Sequence, residues 1–482
     1  MDRKLFKNYL YNILFQLVRL LLPFVTVPYT LAHLTSPVLG ISDFAGNIAS
    51  WFILFGILGV NVYGNRQTAK VRDDRRELSR TFWEIFTMQL LNMAVVSVLY
   101  ALYITFTVKE SRIIYYLYLF TIAASAFDIT WLFYGVEDFG SVTIRNTAVK
   151  LLGVACIFLF VKTPQDLGKF VLINSFAEIL GQAIMFMQLG KYVDRSRISL
   201  SDAYKHHFRG TVALFIPTIA INVYTLLDQS MLGYIGGDLA DLNQYKTAQS
   251  FIKIFLYFVT AIGSVMLPRV TNIFYNHEEG KSEALHIIDQ TFRIAMALAV
   301  PMTAAMITVS PYFFPWYLKE SSEIVPRIVQ LVRFSSPLIL FISVSNVFGI
   351  QYLVPTGRTK AYSTSVIAGA CVNFVCNALL IPRLGGLGAA FGSLAAELTV
   401  TMTQYVFVRQ DIKPDLKAIG KYTLAALAMS VCVAAIGRML GARMITNILQ
   451  AVLGAAVYAL MLILLKEEMI TSLLRKVRER HG

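Results

Sequence analysis

Long apolar runs are the feature of this 482-residue chain that most constrains its fold. They recur from Leu10 to Leu465, and only short polar loops separate them. A helix needs about 20 apolar residues to cross a bilayer, where every backbone polar group must be bonded within the protein. Only 15% of the residues are charged, against about 25% in soluble domains. The sequence therefore predicts an all-α integral membrane protein with about fourteen transmembrane helices.

The predicted spans determine how the chain is oriented. Their approximate ranges are 10–35, 41–63, 82–107, 113–135, 143–162, 167–190, 211–236, 247–268, 292–314, 326–354, 361–382, 386–408, 419–440 and 445–465. Threaded alternately, they put about thirty of the 43 Lys and Arg residues on the side of the N-terminus and about ten on the other. Because positive charge collects in cytoplasmic loops, both termini are expected to be cytoplasmic. This bias and attraction to anionic lipid account for the net charge of +14 without nucleic acid.

Two parts of the chain resemble each other. Ala45 and Arg66 match Ala248 and Arg269 at a constant offset of 203 residues. Two six-helix repeats enter the membrane in the same orientation, so an axis along the membrane normal relates them and a substrate path lies between them. We predict two pseudo-symmetric lobes, an inter-lobe linker, and a final pair of helices with a basic cytoplasmic tail. The lobes are predicted at residues 1–190 and 211–408, with the linker at 191–210 between them. The final helix pair and tail occupy residues 409–482.

The sequence shows no recognised catalytic motif. It contains no Ser-His-Asp grouping, Gly-rich phosphate loop or HExxH pattern, and His206 and His207 fall in the predicted cytoplasmic linker. The four cysteines lie in apolar runs without a CxxC pair, which indicates neither a zinc site nor disulfides. The outward loops are too short for the external catalytic domain that a membrane polymerase needs. We expect a transporter rather than an enzyme.

Ionisable side chains within a bilayer are costly and therefore mark functional positions. Arg19, Lys253 and Arg333 lie inside predicted spans. If they face one aqueous cavity, they form a site for an anionic headgroup such as a pyrophosphate. Arg66 and Arg269, paired by the repeat, would flank its cytoplasmic mouth. The alternative is that these side chains snorkel to the interface or pair with a local acid.

Oxygen-bearing side chains suggest a second kind of site. Asn373 and Asn377 lie at i and i+4, on one face of the eleventh span. Such ligands suit a monovalent cation, with Asp228 supplying the negative charge. The alternative is hydrogen bonding between helices, which is common for asparagine in membranes. Asp43, near the outer end of the second span, has no predicted role.

Several stretches together resemble one bacterial family of polysaccharide transporters. They are Lys7-Asn-Tyr-Leu-Tyr-Asn-Ile-Leu-Phe-Gln16, Leu54-Phe-Gly-Ile-Leu-Gly-Val-Asn-Val-Tyr-Gly-Asn-Arg66, Trp131-Leu-Phe-Tyr-Gly-Val-Glu137 and Asn373-Phe-Val-Cys-Asn377. The resemblance is specific in combination and covers most of the chain. It is to the Wzx-type lipid-linked oligosaccharide flippases, within the multidrug/oligosaccharidyl-lipid/polysaccharide exporter superfamily.

This resemblance implies a V-shaped, two-lobed fold that works by alternating access in the bacterial plasma membrane. The implied substrate is undecaprenyl pyrophosphate carrying an O-antigen or capsular repeat unit, and polysaccharide polymerase or assembly proteins are implied partners besides membrane lipids. In the related lipid II flippases, helices 1 and 8 carry the cations of the central cavity, which points to Arg19 and Lys253.

Those relatives also imply a site for a coupling ion. Their sodium site has a pattern that resembles Asp228, Asn373, Asn377, the carbonyl of Ala389, and Ser393. Here Asn377 stands where an acid would be, which lowers the charge of the ligand set. Coupling to Na⁺ or H⁺ is expected, and no other cofactor. A cation-coupled multidrug exporter of the same superfamily is the nearest alternative function, and a polysaccharide polymerase is a more distant one.

Overall fold

The computed structural model describes residues 22–196, 198–276, 280–468 and 471, with the side chains of 216–224, 261–265, 267–269, 275, 276, 280 and 320 excepted. Within these ranges the chain is almost entirely helical and contains no strand, as the sequence predicts. The first helical segment, α1, is described over residues 22–34. The remaining helices of the first half are α2 (Ser36–Ile57), α3 (Val60–Val71), α4 (Arg75–Thr107), α5 (Arg112–Ala126), α6 (Thr130–Gly135), α7 (Phe139–Phe160), α8 (Leu167–Gln188) and α9 (Leu200–Ile235).

The second half continues the pattern of long helices joined by short turns. It contains α10 (Leu239–Asn276), α11 (Gly280–Tyr317), α12 (Val325–Ser335), α13 (Pro337–Ser345), a π-helical segment (Asn346–Leu353), α14 (Thr359–Leu384), α15 (Gly386–Val408), α16 (Leu416–Leu440) and α17 (Met444–Leu464). Short 3₁₀ turns flank α8 and precede α12.

Each predicted span falls on helix, the first of them from residue 22 onward. Among the described residues, ten helical segments are long and apolar enough to cross a membrane. The count of about fourteen stays a prediction. Three predicted spans are interrupted helices: 41–63 covers α2 and α3, 113–135 covers α5 and α6, and 326–354 covers α12, α13 and the π-helical segment.

The break between α2 and α3 has a local cause. Gly59 adopts a φ of 78°, in the left-handed region that side chains rarely enter. A Cβ at this position would also lie 3.0 Å from the carbonyl oxygen of Thr211 on α9. Glycine therefore permits both the bend and the close approach of α9.

Packing divides the chain into two compact units. The first comprises residues 1–233 and 238–243, and the second comprises 234–237 and 244–482. The first unit therefore includes α9, a helix that the sequence-based division assigns to the C-terminal lobe. The lobe and linker boundaries themselves stay predictions. The predicted linker is helical from Leu200 onward, because α9 begins there.

Aromatic side chains form part of a hydrophobic core cluster in the first unit. The ring of Trp131 stacks on Phe82 with 5.5 Å between centroids, and its indole N–H donates to Oε1 of Gln89 at 3.2 Å. Gly64 lets α3 lie directly against the Trp131 ring. Because lipid is as apolar as these side chains, close packing and internal hydrogen bonds hold such helices together.

Candidate headgroup and cation sites

The five basic residues predicted to bind an anionic headgroup are not described equally. Arg19 lies outside the described residues, and for Arg269 only the backbone, in α10, is described. Lys253 on α10 and Arg66 on α3 have exposed side chains. Exposure fits a residue that lines a cavity and equally fits one that snorkels. The shared headgroup site therefore stays a prediction.

Arg333 has a better-defined setting within the second unit. It lies on α12, and its Nε donates to the carbonyl oxygen of Ile307 on α11 at 2.9 Å. One of its donors is thereby fixed to a neighbouring helix. The side chain lines an open groove of about 390 Å³ with Gln330 and Phe334, next to Pro326 and Val329. A guanidinium has five N–H donors, so the others can bind an acceptor in this groove.

Four residues of the predicted cation site meet on two neighbouring helices. Asn377 donates from Nδ2 to Oδ1 of Asn373 at 3.2 Å, and both side chains are fully buried on α14. Ala389 and Ser393, on α15, are also buried. The hydroxyl of Ser393 lies 3.2 Å from that of Tyr245 on α10. The second unit thus buries these amide and hydroxyl groups on two adjacent helices.

A glycine makes this arrangement possible. A Cβ at position 392 would lie 2.1 Å from Oδ1 of Asn377, closer than any real contact. Gly388 similarly lies against the backbone of Leu380. These positions bring α15 into direct contact with α14 at the two asparagines.

Asp228, the fifth member of the predicted cation site, belongs to the first unit, on α9. It is buried, with 3% of its surface exposed. Two residues either side of it, polar groups join α9 to α2. Nδ2 of Asn47 donates to the carbonyl oxygen of Leu226 at 3.1 Å, and the indole of Trp51 donates to Oγ of Ser230 at 2.8 Å. The complete five-residue ion site stays a prediction.

Asp43, which had no predicted role, joins two helix ends. Its Oδ2 accepts a hydrogen bond of 2.6 Å from Nδ2 of Asn243, and Oδ1 of Asn243 accepts one of 3.0 Å from Ser36. Gly40 packs against the backbone of Leu239 at the same place. These contacts hold the start of α2 against the start of α10, on the predicted outer side.

Sequence reasoning missed two buried polar groups. His207, placed in the predicted linker, is buried on α9 and bonds to Glu84, 123 residues earlier. Arg145, which had no predicted role, is buried on α7 with its Nη1 against Gly181 of α8. Its Nε has no hydrogen-bond partner within the described part of the chain. The position of Arg145, two residues inside the predicted fifth span, was a sequence signal that it is buried. No sequence signal indicated that His207 pairs with Glu84.

The described residues form a helical, multi-pass membrane protein with polar groups in its interior. The family model described as "Polysaccharide biosynthesis protein" matches residues 5–274, and one described as "MatE" matches residues 213–379. The chain belongs to the polysaccharide biosynthesis protein family. This confirms the family resemblance seen in the sequence.

Individual relatives support the same placement. A protein of Escherichia coli (strain K12) named "Putative O-antigen transporter" is 25% identical over 419 residues, which cover 84% of this chain and 97% of that protein. The lipid II flippase MurJ in an inward closed conformation has the same fold, with a TM-score of 0.75, 13% identity, and coverage of 95% of this chain and 100% of that one. An inward-facing multidrug resistance MATE transporter matches with a TM-score of 0.56 and 11% identity over 83% of this chain and 98% of its own.

Proposed function

We propose that this protein is a flippase, a transporter rather than an enzyme, that moves lipid-linked oligosaccharide repeat units from the inner to the outer leaflet of the bacterial plasma membrane. The observation that carries the proposal is the full-length similarity to a protein named as an O-antigen transporter, which this chain matches over 97% of that protein's length. The fold shared with a lipid II flippase agrees with it. Undecaprenyl pyrophosphate is the proposed lipid carrier, and a polysaccharide polymerase is the proposed recipient of the product.

The bases inside the membrane are proposed to bind the pyrophosphate. Arg19, Lys253 and Arg333 would provide the positive charge that a doubly charged headgroup needs away from water, and Arg66 and Arg269 would attract it at the cytoplasmic entrance. The groove beside Arg333 supports this role, because it leaves donors of the guanidinium accessible. The prenyl tail would remain in lipid during the reaction cycle. Both chain termini are proposed to be cytoplasmic.

The oxygen cluster of the second unit is proposed to bind a coupling cation. Asn373, Asn377, the carbonyl of Ala389 and Ser393 would act as neutral ligands, and Asp228 would supply the charge. A site with one carboxylate binds a monovalent ion more readily than a divalent one, which needs more negative ligands. Sodium is the ion proposed for it.

A second candidate function is the export of cationic drugs, which the "MatE" match over residues 213–379 favours. The two candidates differ in the charge that the transport pathway must offer. A cationic substrate needs acidic groups, whereas a pyrophosphate needs the bases named above. Changing the sign of those bases therefore separates the two functions.

The test is reconstitution of the purified protein in liposomes with a defined lipid-linked oligosaccharide, following its exchange between leaflets. We expect exchange with the native protein, and a loss of at least about tenfold in Lys253→Glu and Arg19→Glu, because one unfavourable charge contact costs more than about 1.4 kcal/mol. Arg195→Glu, an exposed loop variant, is the matched control and should retain exchange. Absence of exchange by the native protein, with export of a cationic dye instead, would favour the drug exporter.

A further inference from the structure

A chain of hydrogen bonds connects three helices of the first unit around His207. Nε2 of His207 lies 2.9 Å from Oε2 of Glu84 on α4, and Nδ1 lies 2.9 Å from the hydroxyl of Tyr63 on α3. Nδ1 of His206 is 3.3 Å from the same carboxylate oxygen of Glu84. The side chains of His207 and Glu84 are only 9% and 6% exposed. This network joins the beginning of α9 to both α3 and α4, and a further hydrogen bond of 2.7 Å from the Tyr204 hydroxyl to Oδ1 of Asn92 joins α9 to α4.

The partners of His207 define its protonation state. A carboxylate only accepts hydrogen bonds, so Nε2 carries the proton and donates to Glu84. The Tyr63 hydroxyl can then donate to an unprotonated Nδ1, which gives a neutral ring with both nitrogens satisfied. A proton added to Nδ1 would turn that acceptor into a donor and force the Tyr63 hydroxyl to reorient. The hydroxyl would then turn toward its other neighbours, the carbonyl oxygen of His206 at a long 3.5 Å and the side chain of Gln67.

A charged His207 is disfavoured in this packed arrangement. The titratable groups around it come from all three helices: Tyr63 on α3, Arg80 and Glu84 on α4, and His206 on α9. Glu77 on α4 and Asp202 on α9 act in turn on the charge of Arg80. Arg80 already donates from Nε to Glu84 at 3.0 Å, so an imidazolium would be a second cation on one carboxylate. Burial lowers the pKa of His207, although the charge of Glu84 acts in the opposite direction.

The same part of α9 is held by close steric contacts. Gly210 faces the ring of Tyr63, and a Cβ there would lie 2.2 Å from Cε2 of the ring. The imidazole of His207 meets that ring edge-on, with 5.7 Å between centroids. Tyr63 therefore contacts α9 both through its ring and through its hydroxyl. A change in the hydrogen bonding of this hydroxyl acts directly on the surface where α9 rests.

We propose that His207 is a proton-binding site, and that proton uptake at Nδ1 releases the beginning of α9 from α3 and α4. The sign follows from linkage between proton binding and packing. Because the packed arrangement binds the proton more weakly than the released one, packing is complete above the ordinary histidine pKa of about 6.5 and weakens as the pH falls below it. No other titration in the network is required.

Hydrogen–deuterium exchange of the purified full-length protein tests this proposal without any substrate. Exchange over residues 200–215 is compared at about pH 8 and about pH 5.5, on either side of the ordinary pKa, after correction for the intrinsic rate. The native protein should exchange several-fold faster at the lower pH, and at most about tenfold faster, because pH 5.5 lies only about one unit below the ordinary histidine pKa. Equal corrected rates at the two pH values would overturn the proposal.

Two substitutions remove the titrating group while each keeps one of its contacts. His207→Gln keeps a donor for Glu84, and His207→Asn keeps a polar group toward Tyr63, so folding does not depend on a single variant. In the variant that folds, the pH response should disappear. His286→Gln is the matched control, since His286 is an exposed histidine on α11 that should keep the native response. A pH response that survives both His207 substitutions would show that another group binds the proton.

The site would make the transport cycle sensitive to the pH on the predicted cytoplasmic side. This consequence rests on the proposed function, because only a transport cycle converts the release of α9 into work. The exchange measurement and the liposome assay can fail separately. If the protein moves lipid-linked sugar but shows no pH-dependent hydrogen exchange, the proposed function stands and the proposed proton site is wrong. If hydrogen exchange depends on pH but no lipid-linked sugar is moved, the proton site stands and the proposed substrate is wrong.

Discussion

Single glycines decide how closely polar helices approach in this protein. Asn373 and Asn377 are fully buried, and α15 reaches them only because position 392 has no side chain. The spacing of the two asparagines could be predicted from the sequence, since i and i+4 share a helix face. That α15 would be the helix facing them is not a local property of the sequence, because it depends on packing between separate helices.

A methyl group at position 392 should therefore disturb the asparagine pair. In Gly392→Ala, the added Cβ must displace the Asn377 amide, at a cost of about 1–3 kcal/mol from overpacking. We expect a lower thermal midpoint of the detergent-solubilised protein. Gly420→Ala, on α16, is the matched control, because no atom lies within 4 Å of a Cβ built there. An equal midpoint for both variants would argue against the close contact.

Ion pairs connect the ends of helices within each unit, on the predicted cytoplasmic side. In the first unit, Arg75 at the start of α4 pairs with Asp194, with 2.7 Å between Nη2 and Oδ1. In the second, Asp411 pairs with Lys281 of α11 at 2.9 Å and with Arg358 before α14 at 2.8 Å. The helices could be predicted from hydropathy, but the ion pairs between their ends could not. Long-range pairs leave no periodic pattern in one sequence.

The two acids should contribute unequally to stability. The Asp194 side chain is 63% exposed, whereas that of Asp411 is 11% exposed and has two cationic partners. Burial alone would raise the pKa of Asp411, but hydrogen bonds from Lys281, Tyr352 and Arg358 bring it below its usual value. Its stabilising effect is therefore present above the ordinary Asp pKa of about 3.9 and is lost as the pH falls below it.

The contributions of Asp411 and Asp194 to stability are compared by replacing each carboxylate with an amide. Asp411→Asn should lower the thermal midpoint at neutral pH by roughly 2–4 °C, and the difference from the native protein should shrink in acid. Asp194→Asn, the matched variant, should change it little, because exposed pairs are screened by water and salt. A larger loss in Asp194→Asn than in Asp411→Asn would contradict this reading of burial.

At the scale of the whole molecule, the sequence predicted the fold class and the family but not every boundary. Where the structure describes them, the predicted apolar spans correspond to helix, because hydropathy and span length are strong local signals. Breaks such as the one at Gly59 arise from φ values and contacts with α9, which no hydropathy pattern contains. Of the site residues, Asn373 and Asn377 are buried and hydrogen-bonded to each other, but the cation site and the headgroup site both remain predictions.

The predicted orientation can be tested with single cysteines in exposed turns. Ser111→Cys, between α4 and α5, should react with a membrane-impermeant maleimide in intact cells, and Ser199→Cys, just before α9, should react only after the membrane is opened. The native chain, whose four cysteines lie in apolar runs, measures the background labelling. The reverse order of labelling would invert the orientation and place the termini outside.

The one-residue connection between α14 and α15 has a consequence for how the protein is made. Only Gly385, with a φ of 57°, separates the two helices. If α14 entered lipid alone, Asn373 and Asn377 would present their amides to hydrocarbon, which costs several kcal/mol without a partner. The short turn delivers α15 immediately after α14, so the pair should leave the translocon as one hairpin. Synthesis halted between the two helices should leave α14 poorly inserted.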